Sequence, residues 1–420
     1  MAVADARPGA VSAEESGAYQ GSGGTFRSLK YRDYRLLWIS TLFTSAGQWF
    51  QQITVGWLVF ELTGSAFLLG AINGFRALPL LLLAPLGGVL ADRVDRKALL
   101  QSTSVLAFVA SAVLTAIIFA GELRLWHLFA FTLVTGVVWA FNNPVRQSIV
   151  PNLVPKHDIM NALALNSAGF NVTRILGPAL AGVILSVLGA WENFGLQTLA
   201  YVGVFLMVLP MAIPAVSRAT SVSARENLVE GMKYVWAHKT LRTQLILAFV
   251  PTILAFPYMA LLPIFAADVL GQGKTEYGIM GSAIGVGAVL GTLGLASLSN
   301  VRRRGMVVLV SIFVLGASLM LFAVSRSFEL SLFILALTGA SQMIYLTTNQ
   351  TILQLIVPDN LRGRVMGIYM LSQGMMPLGG LLGGGLADVT SAPTAVLILG
   401  SLVCVMAVVF MVRAKELREV

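Results

Sequence analysis

The sequence predicts an all-α membrane protein with twelve transmembrane helices arranged as two similar halves. Hydrophobic residues make up 57% of the 420 residues and charged residues only 11%, whereas a soluble domain carries roughly 25% charged residues. Apolar windows of about 20 residues, each long enough to cross a bilayer core, recur along the chain. They are continuous rather than alternating in polarity, which disfavours an outer-membrane barrel. The third observation is a repeat of glycine and basic residues between the halves.

The apolar windows divide into two sets of six, separated by the longest interruption in the chain. We place the spans at 35–60, 67–91, 98–120, 125–148, 159–189, 193–213, 243–269, 277–299, 306–324, 330–356, 362–387 and 393–412. The predicted domains are a disordered cytoplasmic tail at 1–26, an N-terminal six-helix half at 27–213, a linker at 214–242, a C-terminal six-helix half at 243–413 and a tail at 414–420.

The linker carries apolar residues at helical spacing, which are Leu228, Val229, Met232, Val235 and Trp236. This pattern predicts a helix that lies on the inner membrane surface between the halves. An irregular linker is the alternative.

The distribution of positive charge predicts the orientation. An even number of spans places both termini on one side. The Lys and Arg residues fall on that side with few exceptions: Arg124, Lys274 and Arg326 lie on the opposite side, and Arg76 and Arg174 lie within spans. Cytoplasmic loops carry such an excess, so both termini are expected in the cytoplasm and the chain in the inner membrane. The net charge of +9 therefore indicates topology and contact with anionic lipid, and no nucleic-acid partner.

The two halves repeat their small residues. Gly177 and Gly182 of the fifth span correspond, at one constant displacement, to Gly380 and Gly385 of the eleventh. Small residues allow helices in lipid to approach closely, so these four glycines and Pro178 form a predicted packing motif. Parallel repeats of six spans predict a binding site between the halves near midplane, with solute moved by rocking of one half against the other.

The loop after the second span combines an acid with several bases. A carboxylate at a helix end can cap a neighbouring helix or pair with Arg, and can thereby close a gate. The predicted cytoplasmic gate consists of Gly88, Asp92, Arg93, Arg96 and Lys97, with Arg146, Arg362 and Arg364 as partners. The alternative is that the basic residues only anchor the chain at the membrane surface.

Two arginines lie inside predicted spans at the same depth, Arg76 in the second and Arg174 in the fifth. A buried Arg is costly and usually faces a wet cavity or a partner. Three roles remain open: binding of an anionic or polar substrate, bonding to backbone carbonyls, and snorkelling to the membrane surface.

Polar stripes at helical spacing occur in spans 1, 4, 7 and 10 and predict further substrate-cavity residues. These candidates are Thr44, Gln48, Gln51, Trp139, Asn143, Tyr258, Gln342, Tyr345 and Asn349. Each stripe alone could instead serve interhelical hydrogen bonding.

These motifs resemble the major facilitator superfamily. Gly88-x-x-x-Asp92-Arg93-x-x-Arg96-Lys97 is similar to its signature loop, with Asp95 where the family usually has Gly, and Gly177-Pro178-x-x-x-Gly182 is similar to a motif of its exporters. The stretches NNPVRQSIVPNLVPKHDIMNALALN and LRGRVMG are most similar to the bacterial branch of enterobactin exporters and macrolide efflux proteins. The resemblance covers 27–413 and implies the major facilitator fold, in which spans 1, 4, 7 and 10 line the path.

The sequence therefore predicts a secondary active transporter that exports an amphipathic, drug-like or siderophore-like organic molecule by alternating access. An importer of a small organic anion is the alternative; a non-transporting receptor or scaffold would need a larger soluble domain. No enzyme, cofactor or metal site is expected, because catalytic groups do not cluster and the phosphate-binding pattern G-x-x-x-x-G-K-[ST] is missing. The expected partners are a small-molecule substrate and membrane lipid, and a monomer is expected. The coupling ion stays open, because no carboxylate lies in the middle of a span.

Overall fold

A computed structural model describes residues 24–93, 95–213, 224–297 and 303–418. The helices of the first half are α1 (Arg32–Thr63), α2 (Ala66–Arg93), α3 (Arg96–Phe119), α4 (Leu125–Ile149), α5 (Ile159–Val187) and α6 (Ala190–Val208). Three short 3₁₀ segments accompany them, at Arg27–Lys30, Val150–Asn152 and Lys156–Asp158.

The second part of the chain contains ten further helices. They are α7 (Ala224–Ala237), α8 (Lys239–Leu254), α9 (Tyr258–Ile264), α10 (Lys274–Ser297), α11 (Arg304–Val324), α12 (Phe328–Ile356), α13 (Asp359–Gln373), α14 (Met376–Val389), α15 (Ala392–Arg413) and α16 (Lys415–Arg418). Five π-helical residues, Phe265–Val269, continue α9.

Every predicted span contains helix, and two spans are broken. The seventh span divides into α8 and α9 at Pro257, and the eleventh divides into α13 and α14 just before Pro377. Proline removes a backbone donor and clashes with the preceding turn, and each new helix begins within one residue of the proline.

Within the described ranges, nine helical stretches are long and apolar enough to cross a membrane. They are Arg96–Phe119, Leu125–Asn152, Lys156–Val187, Lys239–Val269, Lys274–Ser297, Arg304–Val324, Phe328–Ile356, Leu361–Val389 and Ala392–Arg413. The helices α1, α2 and α6 cover the other three predicted spans. Twelve membrane crossings therefore remain a prediction.

The helix pairings within the two halves are equivalent. In the first half α2 packs on α4, and α3 packs on α4 and α6. In the second half α10 packs on α12, and α11 packs on α12 and α15. These are the same pairs when the second, third, fourth and sixth spans are compared with the eighth, ninth, tenth and twelfth. The packing thus follows the predicted repeat.

Both described chain ends lie at one end of the helix bundle, which we call the termini end; the opposite end is the far end. Near the N-terminus, Arg27–Lys30 lies against the start of α5, where Arg27 pairs with the fully buried Asp158. The Tyr31 hydroxyl donates to Asp158 Oδ2 at 2.7 Å. Most of the predicted tail at 1–26 lies outside the described residues.

The C-terminus and the linker pack on the second half. Near the C-terminus, Leu417 lies against Gly305 at the start of α11. Glu416 accepts a hydrogen bond from Lys239, and this bond lowers the pKa of the Glu416 carboxyl.

Helix α7 lies in the linker and packs against α13. Gly231 is buried against Arg364 and Ile368, and Val235 is also buried. Of the five apolar residues that predict this helix, Val229, Met232 and Trp236 are exposed, and the Leu228 side chain lies outside the described residues. One face of α7 therefore packs on the second half, and an apolar ridge remains on its surface.

Candidate substrate cavity

The two halves meet at the far end of the bundle, and the first contact is between α2 and α14. A Cβ added at Gly70 would lie 2.0 Å from the carbonyl oxygen of Gly380, so the two backbones touch. Asp388 of α14 accepts hydrogen bonds from the backbone N–H of Ala66 at 2.7 Å and from the Ser65 hydroxyl at 2.9 Å. A carboxylate of the second half therefore caps the helix that begins the second span of the first half.

The second contact between the halves is between α5 and α10. A Cβ at Gly278 would lie 2.4 Å from the Pro178 carbonyl oxygen, and one at Gly285 would lie 2.6 Å from that of Arg174. The Ser282 hydroxyl accepts from the backbone N–H of Ala179 at 3.0 Å. These approaches extend from the far end to the middle of both helices.

The contacts between α2 and α14 are described for the far-end part of α2. On the α2 side, the glycine contacts run from Ala66 to Gly74, which lies beside Pro377. The chain before Pro377 forms α13, which packs on α7 and α8. The described contacts between the halves thus lie at the far end and in the middle of the bundle.

A cavity of about 310 Å³ lies between the halves beneath these contacts. It is lined from the first half by α1, α2 and α4, and from the second by the turn before α9, by α9 itself, by α10 and by α14. The aromatic and thioether lining consists of Trp49, Trp139, Phe256, Tyr277, Met259 and Met376, and the polar lining consists of Gln51, Gln52, Asn73, Arg76 and Thr132. None of the described lining residues is Asp, Glu or Lys.

Arg76 supplies the charge in this cavity. Its Nη1 donates to Gln52 Oε1 at 3.3 Å, and no described residue forms an ion pair with it. An adjoining cavity of about 140 Å³ contains Arg174 and shares Trp49, Gln52, Met259 and Tyr277 with the first. The two predicted intramembrane arginines thus stand on either side of one group of aromatic and amide side chains.

A smaller chamber of about 20 Å³ lies inside the first half, between α1, α2, α3, α4 and α6. Thr44, Gln48, Gln51, Arg76 and Trp139 line it, and Gln51, Arg76 and Trp139 also line the main cavity. Gln51 is held there by hydrogen bonds to Thr135 (2.7 Å) and Gln197 (3.2 Å). The predicted polar stripe of α1 therefore faces this chamber more than the main cavity.

The candidates from the second half form hydrogen bonds within that half. The Tyr345 hydroxyl donates to the carbonyl oxygen of Leu247 at 2.9 Å, and the Tyr258 hydroxyl donates to Gln342 Oε1 at 3.3 Å. Asn349 Nδ2 donates to a backbone carbonyl of α8. These four candidates line none of the three cavities. Asn143 of α4 also lines none of them; it accepts a hydrogen bond from Gln147.

The predicted gate residues of the first half lie at the termini end or near it. Gly88, Asp92 and Arg93 fall in the last turns of α2, but their side chains lie outside the described residues. Arg96 Nη1 approaches the Ser148 carbonyl oxygen at 3.5 Å. The backbone N–H of Lys97 donates to Asp95 Oδ1 at 2.8 Å, so Asp95 caps α3.

Arg146, a predicted gate partner, is buried inside the first half instead of facing the termini-end surface. It is 7% exposed, and its guanidinium donates to Asn142, Ser40 and Thr41.

The other two predicted gate partners are on α13. Arg362 pairs with Asp359 of the same helix, and Arg364 pairs with Glu230 of α7. These two ion pairs thus lie within the second half and between the second half and the linker.

The predicted packing residues differ in how closely they are packed. A Cβ at Gly177 would lie 2.7 Å from Trp49, and one at Gly182 would lie 2.9 Å from Gly278 Cα. Gly380 faces Gly70, whereas a Cβ at Gly385 would meet only Phe67 at 3.8 Å. Pro178 packs against Gly281.

Several cavity residues are missing from the predicted set, namely Trp49, Gln52, Asn73, Met259 and Tyr277. Trp49, Gln52 and Gly56 recur on α1 at helical spacing beside the predicted stripe and face the main cavity. The amide side chain of Gln52, which directly follows Gln51 in the sequence, could have indicated this second polar face of α1.

Comparison with known sequences gives a consistent set of matches. Residues 23–420 match a family described as "Transmembrane secretion effector". The chain is 30% identical over 374 residues to "Staphyloferrin A transporter" of Staphylococcus aureus (strain NCTC 8325 / PS 47), covering 88% of this chain and 93% of that protein. It is 25% identical over 396 residues to "Macrolide efflux protein A" of Streptococcus pyogenes (90% and 96% covered) and over 396 residues to "Multidrug efflux pump Tap" of Mycolicibacterium fortuitum (91% and 96%).

Solved structures share the fold. The nucleoside transporter NupG superposes with a TM-score of 0.71 at 16% identity, covering 91% of this chain and 99% of that one. A bacterial homolog of the human lysosomal transporter Spinster, in an inward-facing and unoccupied conformation, superposes with a TM-score of 0.68 at 16% identity, covering 92% and 96%.

Proposed function

The chain belongs to the transmembrane secretion effector family of major facilitator transporters, and we propose that it exports an amphipathic organic molecule by alternating access. The family assignment agrees with the resemblance stated from the sequence and makes the chain a multi-pass membrane transporter and not an enzyme. The direction of transport, the substrate and the mechanism are the parts that we propose.

The cavity between the halves is the observation that carries the proposal. Small-molecule sites are concave and mostly apolar, with a few polar groups that orient the ligand. The 310 Å³ cavity has this composition, since indole, phenyl and thioether groups surround a single guanidinium and a few amides. Such a lining suits a molecule with an apolar body and one polar or anionic group.

The direction is supported by the names of the relatives, since two of the three similar proteins are named as efflux proteins or pumps. With both termini in the cytoplasm, as the positive charges predict, the far end is the outer side. The conformation is then inward-facing, with the cavity placed to receive a molecule from the cytoplasm or the inner leaflet. Export would follow when α2–α14 and α5–α10 separate and the halves close at the termini end.

A substrate-panel assay tests the proposal. Cells or inside-out vesicles that contain the chain would be loaded with fluorescent drugs and siderophore-like chelators, and their movement followed under imposed proton or sodium gradients. We expect outward movement of at least one amphipathic compound in cells and accumulation of the same compound in inside-out vesicles. Uptake into cells would favour the importer of a small organic anion, and absence of movement in either direction would contradict transport of these compounds.

A matched pair of tryptophan variants tests the cavity as the substrate site. Trp139 lines the cavity, whereas Trp126 is exposed at the far end. Trp139→Ala should raise the half-saturating concentration of an aromatic substrate about 10-fold to 150-fold, because a lost aromatic contact is worth about 1.5–3 kcal/mol. Trp126→Ala should match the parent protein. Equal kinetics in the two variants would place the substrate elsewhere.

A further inference from the structure

We propose that the small chamber inside the first half binds one compact monovalent anion, either the carboxylate of a transported molecule or a free halide. The carboxylate form of this proposal rests on the proposed transport function, and the halide form does not. The chamber is distinct from the main cavity, but both are lined by Gln51, Arg76 and Trp139. We call the place where the two spaces adjoin, at these three residues, the doorway.

The chamber presents hydrogen-bond donors that lack acceptors. Among the described residues, the Gln48 amide and the Trp139 indole N–H have no hydrogen-bond partner, and the Tyr201 hydroxyl only accepts, from Gln197 at 3.4 Å. The only acceptor for the Arg76 guanidinium in the described part of the chain is the neutral amide of Gln52 at 3.3 Å. Gln48, Arg76 and Trp139 are partly buried, Tyr201 is buried, and all four line one small space, so this set of donors suits a ligand that accepts hydrogen bonds.

Among the described residues, the charge around the chamber is positive and uncompensated. No Asp or Glu is among its described lining residues. A second guanidinium lies next to it, because Arg146 Nε donates to Asn142, which lines the chamber. All described acceptors of Arg146 are neutral oxygens, and its buried Nη2 has no partner. A buried charge without a counter-charge is strongly unfavourable, and a bound anion would supply the missing charge.

The size of the chamber limits the ligand. Its volume is about 20 Å³, whereas a single water needs roughly 10–15 Å³. A chloride or bromide ion or the oxygen end of a carboxylate fits this space, and a larger polyanion does not. A carboxylate could enter through the doorway while the apolar body of its molecule stays in the main cavity.

Thermal unfolding of the purified full-length chain tests the halide form. Sodium gluconate would be replaced stepwise by sodium chloride at constant ionic strength. The polyol body of gluconate does not suit the largely apolar main cavity, so its carboxylate is not expected to reach the chamber. We expect a saturable rise of the unfolding midpoint on the order of 3 °C, because a ligand bound only by the folded state stabilises it. Tyr201→Phe should raise the half-saturating chloride concentration about tenfold, since it removes one donor to a charged acceptor. Tyr369→Phe, a buried tyrosine of α13, is the matched control and should respond as the parent does.

A second arm distinguishes the two sources of the anion. 1-Naphthylacetate and the neutral 1-naphthylacetamide would be compared as stabilising ligands in gluconate. Stabilisation by the acid alone, lost in Arg76→Gln and retained in Arg76→Lys, supports a carboxylate in the chamber. Stabilisation by chloride that the acid does not reproduce supports a halide site.

The proposal and the transport function can fail separately. Chloride-dependent or acid-dependent stability without any solute movement would leave the chamber as an anion site and remove the exporter assignment. Solute movement with equal stability in chloride and gluconate, and equal stabilisation by the acid and the amide, would mean that the chamber holds water only. That outcome overturns the proposal, whether or not Arg76→Gln folds.

Discussion

Charged residues that lie inside the helix bundle or partly inside it have two kinds of surroundings among the described residues. Asp158 is fully buried beside Arg27, Lys30 and His157 and accepts a hydrogen bond from Tyr31. Arg76, by contrast, has neutral partners among the described residues. The cations around Asp158 compensate its charge locally and tie the N-terminal segment to α5, so this acid is a structural group. The arginine that lacks such compensation lines the cavities, where a ligand can supply it.

The structural role of Asp158 can be measured. Asp158→Ala should lower the unfolding midpoint of the purified chain by several degrees, because it leaves the Tyr31 hydroxyl and two cations without their shared acceptor. The matched control is Asp359→Ala, since Asp359 is 88% exposed and pairs with Arg362 on the surface of α13, where an ion pair contributes little. Equal midpoints for the two variants would show that the N-terminal segment does not stabilise the fold.

At the scale of the helix, most of the fold could be predicted from hydropathy, because a window of about 20 apolar residues has few alternatives to a spanning helix. The breaks at Pro257 and Pro377 could not, because membrane helices often tolerate proline when neighbouring groups satisfy the freed backbone. The polar stripes predicted cavity-lining residues correctly in some helices and not in others. Gln51 lines a cavity, but Tyr345 bonds to α8, and the same spacing serves either purpose because it does not specify which neighbour a helix face meets.

Two adjacent glycines of α14 allow the contact between helices to be tested. A Cβ at Gly384 would lie 2.4 Å from the carbonyl oxygen of Ala66, whereas one at Gly385 would meet only Phe67 at an ordinary 3.8 Å. Gly384→Ala should therefore force α2 and α14 apart at the far end, at a cost of about 1–3 kcal/mol.

This cost lowers the population of the far-end-closed state by about 5-fold to 150-fold, so Gly384→Ala should lower the initial rate of substrate movement by up to the same factor. Gly385→Ala should transport at the parental rate. The comparison requires that both variants remain monodisperse with similar unfolding midpoints. If Gly384→Ala transported as fast as Gly385→Ala, close approach of α2 and α14 would not be part of the cycle.

At the scale of the whole molecule, the two halves are equivalent in packing but not in charge. The pairs α2–α14 and α5–α10 correspond under the repeat, and both are built on glycines. Among the described residues, only the first pair carries an acid of one half on the helix terminus of the other, Asp388 on Ala66. The ion pair between Glu61 and Lys274, at 3.5 Å, is a second charged link between the halves at this end. Charge at the far end should therefore bias which side of the transporter is open.

The Asp388 link provides the test of rigid-body rocking. Asp388→Ala removes a cap-type interaction worth roughly 0.5–2 kcal/mol, which should shift the balance between the closed and open far end by about 2-fold to 30-fold. If each half moves as a rigid body, opening at the far end must be accompanied by closure at the termini end. The chain has one cysteine, so Cys404→Ala gives a background for paired spin labels.

One label pair would replace Leu62 and Val389 at the far end, and another would replace Met160 and Leu355 toward the termini end; all four side chains are exposed. In Asp388→Ala the first distance should lengthen and the second should shorten. The matched control is Glu329→Ala, because Glu329 is a far-end acid that bonds to Ser327 within its own half; both distances should stay at parental values. Lengthening at the far end without shortening at the other would show that the helices bend individually and that the halves do not rock as units.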